Sequence, residues 1–388
     1  MKKIGAVITG GDFQGLGVLR SLARRNIPVY LIDNDLCIGR FSRFNKKFAK
    51  SPQVGDEDHY LDFLINLAKR ERLDGWVIFP NSDEIVSILS RHKKQLEKYY
   101  RIPTPAWQTT KYVYNKKLTY QLANKIGIPI PKTYYPQSLE EIRELELEFP
   151  VIIKPAIRDH FYNKTKVKAY WINNREKLIQ YYQKVRSVID PSEILVQEFI
   201  PGGPKHLFSF CPLFKEGWVL ARISGRRTRQ HPMDFGHATT FAELVELPEL
   251  EAIGSKFLKE INYYGLAEVE FMQDPRDGIF KFIEVNPRVW GWHTLAIGAG
   301  VDLPYLLYQD MIGKKVEAKP AVENLKWFRL TTDIATVFSE IIKNHMKVKD
   351  YVISLKGKKT FAVFSLEDPI PFFMEIIMIP YLWRKRGF

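Results

Sequence analysis

Only two cysteines, Cys37 and Cys211, occur among 388 residues. That is too few for a disulfide framework or a cysteine-rich zinc site, and it suits a reducing interior. No segment reaches the roughly 20 apolar residues that a membrane-spanning helix needs. The most apolar stretch, IPFFMEIIMIPYLWRKRGF at 370–388, is broken by Glu375, Pro371 and Pro380. There is no GxxxxGK[ST], so P-loop chemistry is excluded. No low-complexity tract and no solenoid repeat occurs. The basic start MKKIGAVITGGDF has too short an apolar core for a signal peptide; it reads as a first strand entering a glycine-rich turn. Acidic side chains are the minority charge, 44 against 58 basic, for a net charge of +14. Such a balance suits nucleotides, phosphorylated substrates, nucleic acid or an acidic membrane surface without choosing among them.

The length exceeds one hydrophobic core, so two or three domains are expected. KIGAVITGG, LGVLRSLARRN and IPVYLID alternate strand, helix, strand, as in an open parallel sheet. YLDFLINLAKRERL, DGWVIFP and SDEIVSILSRHKKQLEKYY continue as helix, strand and helix. Residues 1–105 therefore read as a doubly wound domain, and RIPTPAWQ as a boundary. NKKLTYQLANKIG is a helix capped by Asn115 and stopped by Gly127. SLEEIRELELEF is a second capped helix, with Ser138 ahead of Glu141. PVIIKPA is a short strand, followed by a long polar loop. EILVQEFI, HLFSFCPLF and WVLARISGRR read as strands, and LPYLLYQDMIG as a helix. From about 325 the pattern is mixed, and 319–388 reads as a C-terminal appendage. Its tail fits either packing on the core or an interfacial helix with a basic end.

The chemistry concentrates in a hairpin. GLAEVEFM and IFKFIEVN flank the turn QDPRDG, which sets Glu270 against Glu284 across an antiparallel pair. Side chains alternate along a strand, so Glu284 and Asn286 share one face. Two facing carboxylates repel unless a cation, an Arg or Lys, or solvent compensates them. Glu270, Glu284 and Asn286 supply the few hard oxygens that Mg²⁺ prefers, leaving other positions to water and phosphate. Glu268 shares the face of Glu270 and competes for the role of first ligand. No histidine–cysteine cluster suggests a transition metal. Lys154 ends a buried apolar strand, which calls for a charged partner. Lys116 opens a helix against its dipole, which calls for an anion; nucleotide phosphate would serve both.

NKKLTYQLANKIGIPIPKT, FPVIIKPA, ILVQEFIPGG, GLAEVEFM and FIEVNPR occur in the order seen in ATP-grasp enzymes. The resemblance covers roughly 110–315, and PNSDEIV with GRRTRQHPMDFGHATTF is similar to predicted carboxylate–amine ligases, including D-aspartate-ligase-like members. It implies an α/β and α+β fold: a Rossmann-like pre-ATP-grasp domain, then a two-lobed ATP-grasp domain over 106–318. The small lobe would span about 130–200 and the large lobe about 201–318. It also implies ATP with Mg²⁺, or Mn²⁺ as an alternative ion. Lys116 and Lys154 would contact the phosphates. Gln197, Glu198, Phe199 and Ile200 would read adenine at the hinge, and His206 the ribose. Glu270, Glu284 and Asn286 would hold the metal. Arg288 would steady the carboxylate or acylphosphate, with Arg226 and Arg229 facing the transferring phosphoryl group.

The family usually covers the phosphates with a glycine-rich loop. AIRDHFYNKTKVKAYW has no glycine, and Lys164, Lys166 and Lys168 would supply cations instead. The N-terminal turn GGDFQGLG has GxxxGxG spacing rather than the dinucleotide GxGxxG, and with NSDE at 81–84 it would serve a substrate at the domain junction. The expected activity is a cytoplasmic ligase joining an anionic carboxylate and an amine, an amino acid and a cell-envelope precursor being one version. Biotin-independent carboxylation and a non-catalytic nucleotide-binding module are the alternatives. The basic tail suggests peripheral contact with the inner membrane surface. A homodimer is compatible, and no nucleic-acid partner is expected.

Overall fold

Short β-rich apolar runs separated by amphipathic helices fold at the N-terminus into a wholly parallel sheet. A computed structural model of the chain describes residues 3–233, 236 and 238–386. The first strand, β1 (Ala6–Thr9), is buried at every position, as a parallel strand covered by helices on both faces must be. It lies between β2 (Val29–Asp33) and β4 (Trp76–Phe79), with β3 (Phe48–Lys50) and β5 (Tyr100–Arg101) outside them. The order β3-β2-β1-β4-β5 reverses between β1 and β4. Ligands of doubly wound sheets gather at the carboxyl ends beside such a reversal. The helix expected to run from 82 to about 100 is shorter: Asp83–Arg91 is helical, Lys93–Leu96 makes one more turn, and Tyr100–Arg101 becomes the edge strand.

A second sheet holds β6 (Thr133–Tyr134), β7 (Val151–Pro155), β8 (Tyr170–Ile172) and β9 (Ile194–Glu198), in the antiparallel order β6-β9-β7-β8. The segment after β7, expected as a loop, contains the helix Arg158–Thr165, which ends where Lys166 turns left-handed at φ 59°. The third sheet carries β10 (Leu207–Lys215), β11 (Trp218–His231), β12 (Ala238–Val245), β13 (Gly265–Leu266), β14 (Glu268–Gln273) and β15 (Phe280–Asn286). It continues into the C-terminal segment: β16 (Leu325–Phe328) pairs antiparallel with β12, and β17 (Lys358–Phe361) parallel with β16.

The residues after 319 are therefore no detached appendage. They complete the large sheet and bury Trp327 fully. Asp368 ties them back to the N-terminal domain, accepting from Arg20 Nε at 2.9 Å and from the Ser42 hydroxyl at 2.6 Å. In the tail, Pro371, Glu375, Met378 and Leu382 pack inward. No helix among the described residues is long and apolar enough to cross a membrane.

Candidate active site

A cleft of about 660 Å³ lies between the second and third sheets, with Asp12, Phe13 and Gln14, at the start of the helix after β1, reaching its edge. Its hinge is β9. Gln197 donates to the Thr133 hydroxyl at 2.7 Å, fixing it to β6. The Glu198 carboxylate accepts from Lys132 N at 2.8 Å and lies 3.1 Å from Lys281 Nζ, joining the two lobes. Gln197, Glu198, Phe199 and Ile200 all line the cleft.

Strand alternation aims Lys154. Val151 and Ile153 enter the small-lobe core, so Ile152 and Lys154 face the cleft. Lys154 Nζ donates to the Tyr120 hydroxyl at 2.7 Å. Lys116 is placed by its neighbour: the Asn115 side chain caps the helix Lys116–Lys125, accepting from the backbone N–H groups of Lys117 and Leu118. Lys116 Nζ then reaches Glu284 Oε2 at 2.6 Å.

The hairpin sets Glu270 opposite Glu284 and Glu268 opposite Asn286. The facing carboxylates are compensated by protein cations, Glu284 by Lys116 and Glu270 by a two-nitrogen contact with Arg227. Asn286 Nδ2 donates to Glu268 at 3.0 Å and to Glu270 at 2.8 Å. Glu268 also accepts from Trp292 Nε1 at 2.8 Å and Ser209 at 3.2 Å, so its acceptors serve the scaffold. Among the described residues no group of three or more His, Cys, Asp or Glu side chains could by itself hold a metal ion. Two carboxylates and an amide oxygen fit a hard cation that takes its remaining oxygens from phosphate and water.

Arg288 lines the cleft and binds Asp83 of the N-terminal domain at 2.7 Å. Two expected arginines lie elsewhere. Across the antiparallel sheet Glu270 faces Ser209, and Ser209 faces Gly225, so the site face of β11 carries Gly225 and Arg227. Arg226 points to the other side, 3.0 Å from Glu243. A bulge between Arg227 and Arg229 then breaks the alternation. Arg229 is buried against Asp333, with two donated bonds of 2.8 Å, outside the cleft. His206 is half-buried against Gly202 and is not part of the cleft wall; among the described residues its Nδ1 has no hydrogen-bond partner. Asp234, Phe235 and His237 of the GRRTRQHPMDFGHATTF motif lie outside the described residues. Replacing Arg229 by Met is expected to cost about 3–5 kcal/mol, because Asp333 is left buried and unpaired. Denaturant unfolding measures the loss, and the apparent KM for ATP should be nearly unchanged.

Sequence reasoning missed Arg227 and Arg158 and left Lys168 undifferentiated from its neighbours. Arg158 and Lys168, from the glycine-free segment after β7, line the cleft. Lys168 Nζ donates to Gly236 O at 3.1 Å, spanning from the small lobe to the large one. Lys164 instead binds Val188 O outside the cleft. No pattern in the sequence separates the three lysines, which share one parity of strand alternation; the fold alone brings Lys168 to the cleft.

Burial, with Lys116 nearby, lowers the Lys154 ammonium to about 7. Burial beside Arg158 lowers Lys168 to about 7 as well. Burial would raise Glu284, but Lys116 overrides it and holds the carboxyl below its ordinary range. A polyanion entering this cleft favours the charged lysines. Above pH 7 both must gain a proton to bind it; below pH 7 they already carry one. ATP binding near pH 8 should therefore take up roughly one to two protons, and affinity should fall as pH rises above 7. Titration calorimetry in buffers of different ionisation enthalpy checks this, and Lys154→Met should reduce the uptake.

Residues 241–317 match the family described as carbamoyl-phosphate synthase L chain, ATP binding domain. The chain is 24% identical over 349 residues to the D-aspartate ligase of Enterococcus faecium, covering 82% of this chain and 78% of that protein. In structure it is similar to an L-amino acid ligase from Bacillus licheniformis, with TM-score 0.64 and 17% identity over 82% of this chain and 78% of that one. The biotin carboxylase domain of Hydrogenobacter thermophilus 2-oxoglutarate carboxylase, determined with magnesium ADP and bicarbonate, superposes with TM-score 0.65 and 18% identity, covering 84% of this chain and 73% of that one. The two-lobed cleft and its acidic hairpin agree with these likenesses: the chain has the fold of these solved structures, and its residues 241–317 match the carbamoyl-phosphate synthase ATP-binding domain.

Proposed function

We propose that the chain is an ATP- and Mg²⁺-dependent ligase that joins a carboxylate to an amine and releases ADP and phosphate. The observation that carries this reading is one cleft in which Lys116 and Lys154 stand over a hairpin bearing Glu270, Glu284 and Asn286, with Arg227 and Arg288 beside them. Adenine sits at the hinge, against Phe199, Ile200 and the backbone of β9. Lys116, Lys154, Arg158 and Lys168 receive the phosphates. Glu270, Glu284 and Asn286 would hold Mg²⁺, or Mn²⁺ in its place, and the ion would neutralise phosphate charge.

A carboxylate oxygen attacks the γ-phosphorus, the bond from that phosphorus to the β–γ bridging oxygen breaks, and ADP leaves with the electron pair. Arg227 and Arg288 hold the charge that gathers on the transferring group, planar guanidinium being suited to both phosphoryl and acyl oxygens. The amine nitrogen then attacks the acyl carbon of the acylphosphate. Phosphate departs, and the nitrogen gives up a proton.

The berth for the amine is the reversal of the parallel sheet. A second cavity of about 440 Å³ lies there, lined by Asp12, Asp33 and Glu84 among other polar side chains. Asp12 and Gln14 line both cavities, so the two spaces adjoin. The relative named D-aspartate ligase supports an amino acid as one partner, with an anionic cell-envelope precursor as the version to test first. Dependence on ATP puts the work in the cytoplasm.

The test is ADP release with ATP, Mg²⁺ and pooled carboxylates and amino acids. Release that requires both a carboxylate and an amine supports the ligase. Release driven by bicarbonate alone replaces it with a carboxylation, and nucleotide binding without turnover across broad pools rules out catalysis.

A further inference from the structure

A helix laid on a sheet normally turns its apolar stripe inward. The helix Leu330–Ile342 mostly does the reverse. Its buried side holds Asp333, Thr336 and Glu340 alongside a single apolar side chain, Val337. Asp333 accepts from Arg229, Thr336 meets His231 Nδ1 at 2.9 Å, and Glu340 lies 3.1 Å from His345 Nδ1. Ile334, Phe338 and Ile342, four residues apart and so in one stripe, point outward; the last two are each 65% exposed. The next helix, Val348–Ser354, buries no side chain and exposes Val348, Val352 and Ile353.

The helix Ile370–Ile377 repeats the inversion. Glu375 turns inward, 1% exposed, and accepts from Arg329 Nε at 2.8 Å. Phe373, Ile376 and Ile377 face out. The two inverted helices adjoin, because Arg329 caps the first and the Thr331 hydroxyl donates to Glu375 at 3.0 Å. Internal ion pairs thus hold these helices on the protein, while their apolar surface faces away from it. An apolar surface of this extent marks a place of contact.

The surrounding charge selects the occupant. Residues 343–359 carry Lys343, Lys347, Lys349, Lys356, Lys358 and Lys359, all exposed, against the single acid Asp350. In a two-fold dimer a surface meets its own image, so a second copy would bring this basic fringe against itself, on a chain already at +14. Anionic headgroups neutralise such a fringe while apolar side chains enter the interface. We propose that these three helices dock the protein on an anionic lipid surface. Arg329, which holds Glu375, also lines the cleft, so docking sets the cleft beside the lipid.

The experiment is co-sedimentation of the full chain with vesicles rich in phosphatidylglycerol and with pure phosphatidylcholine vesicles, and it needs no turnover. The chain should sediment with the anionic vesicles alone, and less so as salt rises. Phe338→Glu with Phe373→Glu should cut the bound fraction about ten-fold. Lys356→Glu with Lys358→Glu, which leaves the apolar face intact, should weaken binding in the same direction. Both variants should keep the parent's thermal midpoint; if the first does not, the lysine variant decides. Failure of the parent to bind anionic vesicles at physiological salt overturns the proposal. So does equal binding to neutral vesicles, or a parent dimer in ultracentrifugation that Phe338→Glu dissociates.

Discussion

Glu284→Gln should reduce ATP turnover by roughly 10²–10³ or more while leaving the thermal midpoint within a few degrees of the parent. Glu284 is paired with Lys116, the first residue of the helix Lys116–Lys125. The amide keeps the shape and one oxygen but removes the charge. A hard cation then loses an anionic ligand, and Lys116 loses the partner that holds its ammonium over the phosphate position. The side chain is half-buried rather than part of the core, so folding should tolerate the exchange. ADP release, circular dichroism and thermal melting measure the outcome together. Turnover within three-fold of the parent would place the catalytic cation elsewhere.

The second large effect separates neighbours in one strand. Arg227→Lys should lower turnover by about 10², whereas Arg226→Lys should change it by no more than about two-fold. Arg227 meets Glu270 with two nitrogens inside the cleft; Arg226 meets Glu243 outside it. Lysine preserves the charge, so Glu270 is not left buried and unpaired. What is lost is the planar fork that serves a carboxylate and a phosphoryl oxygen at once. Equal effects at the two positions would contradict the assigned faces of β11.

The pairing of Glu270 with Glu284 was legible because both residues lie in one hairpin, where the length of the turn sets the register. Lys116 and Lys154 were legible for a related reason. A lysine at a capped helix start, or at the end of an apolar strand, conflicts with its local setting and asks for an anion. Arg226 and Arg229 were misplaced because which face of β11 meets the cleft depends on its pairing with β10 and on a bulge after Arg227. The C-terminal strands were hidden similarly, β16 being only four residues long and β17 beginning 30 positions beyond its end.

The sequence by itself determined the parallel N-terminal sheet, the capped helix that presents Lys116, the strand Ile194–Glu198 and the acidic hairpin. Each is written in periodicity, caps and turns among residues near one another in the chain. Tertiary structure alone decided which arginine enters the cleft, that Arg158 and Lys168 line it, and that the segment from Leu325 onward extends the large sheet with helices turned largely inside out. Those outcomes depend on register between distant strands and on ion pairs such as Arg229–Asp333 and Arg329–Glu375, whose partners are 104 and 46 positions apart.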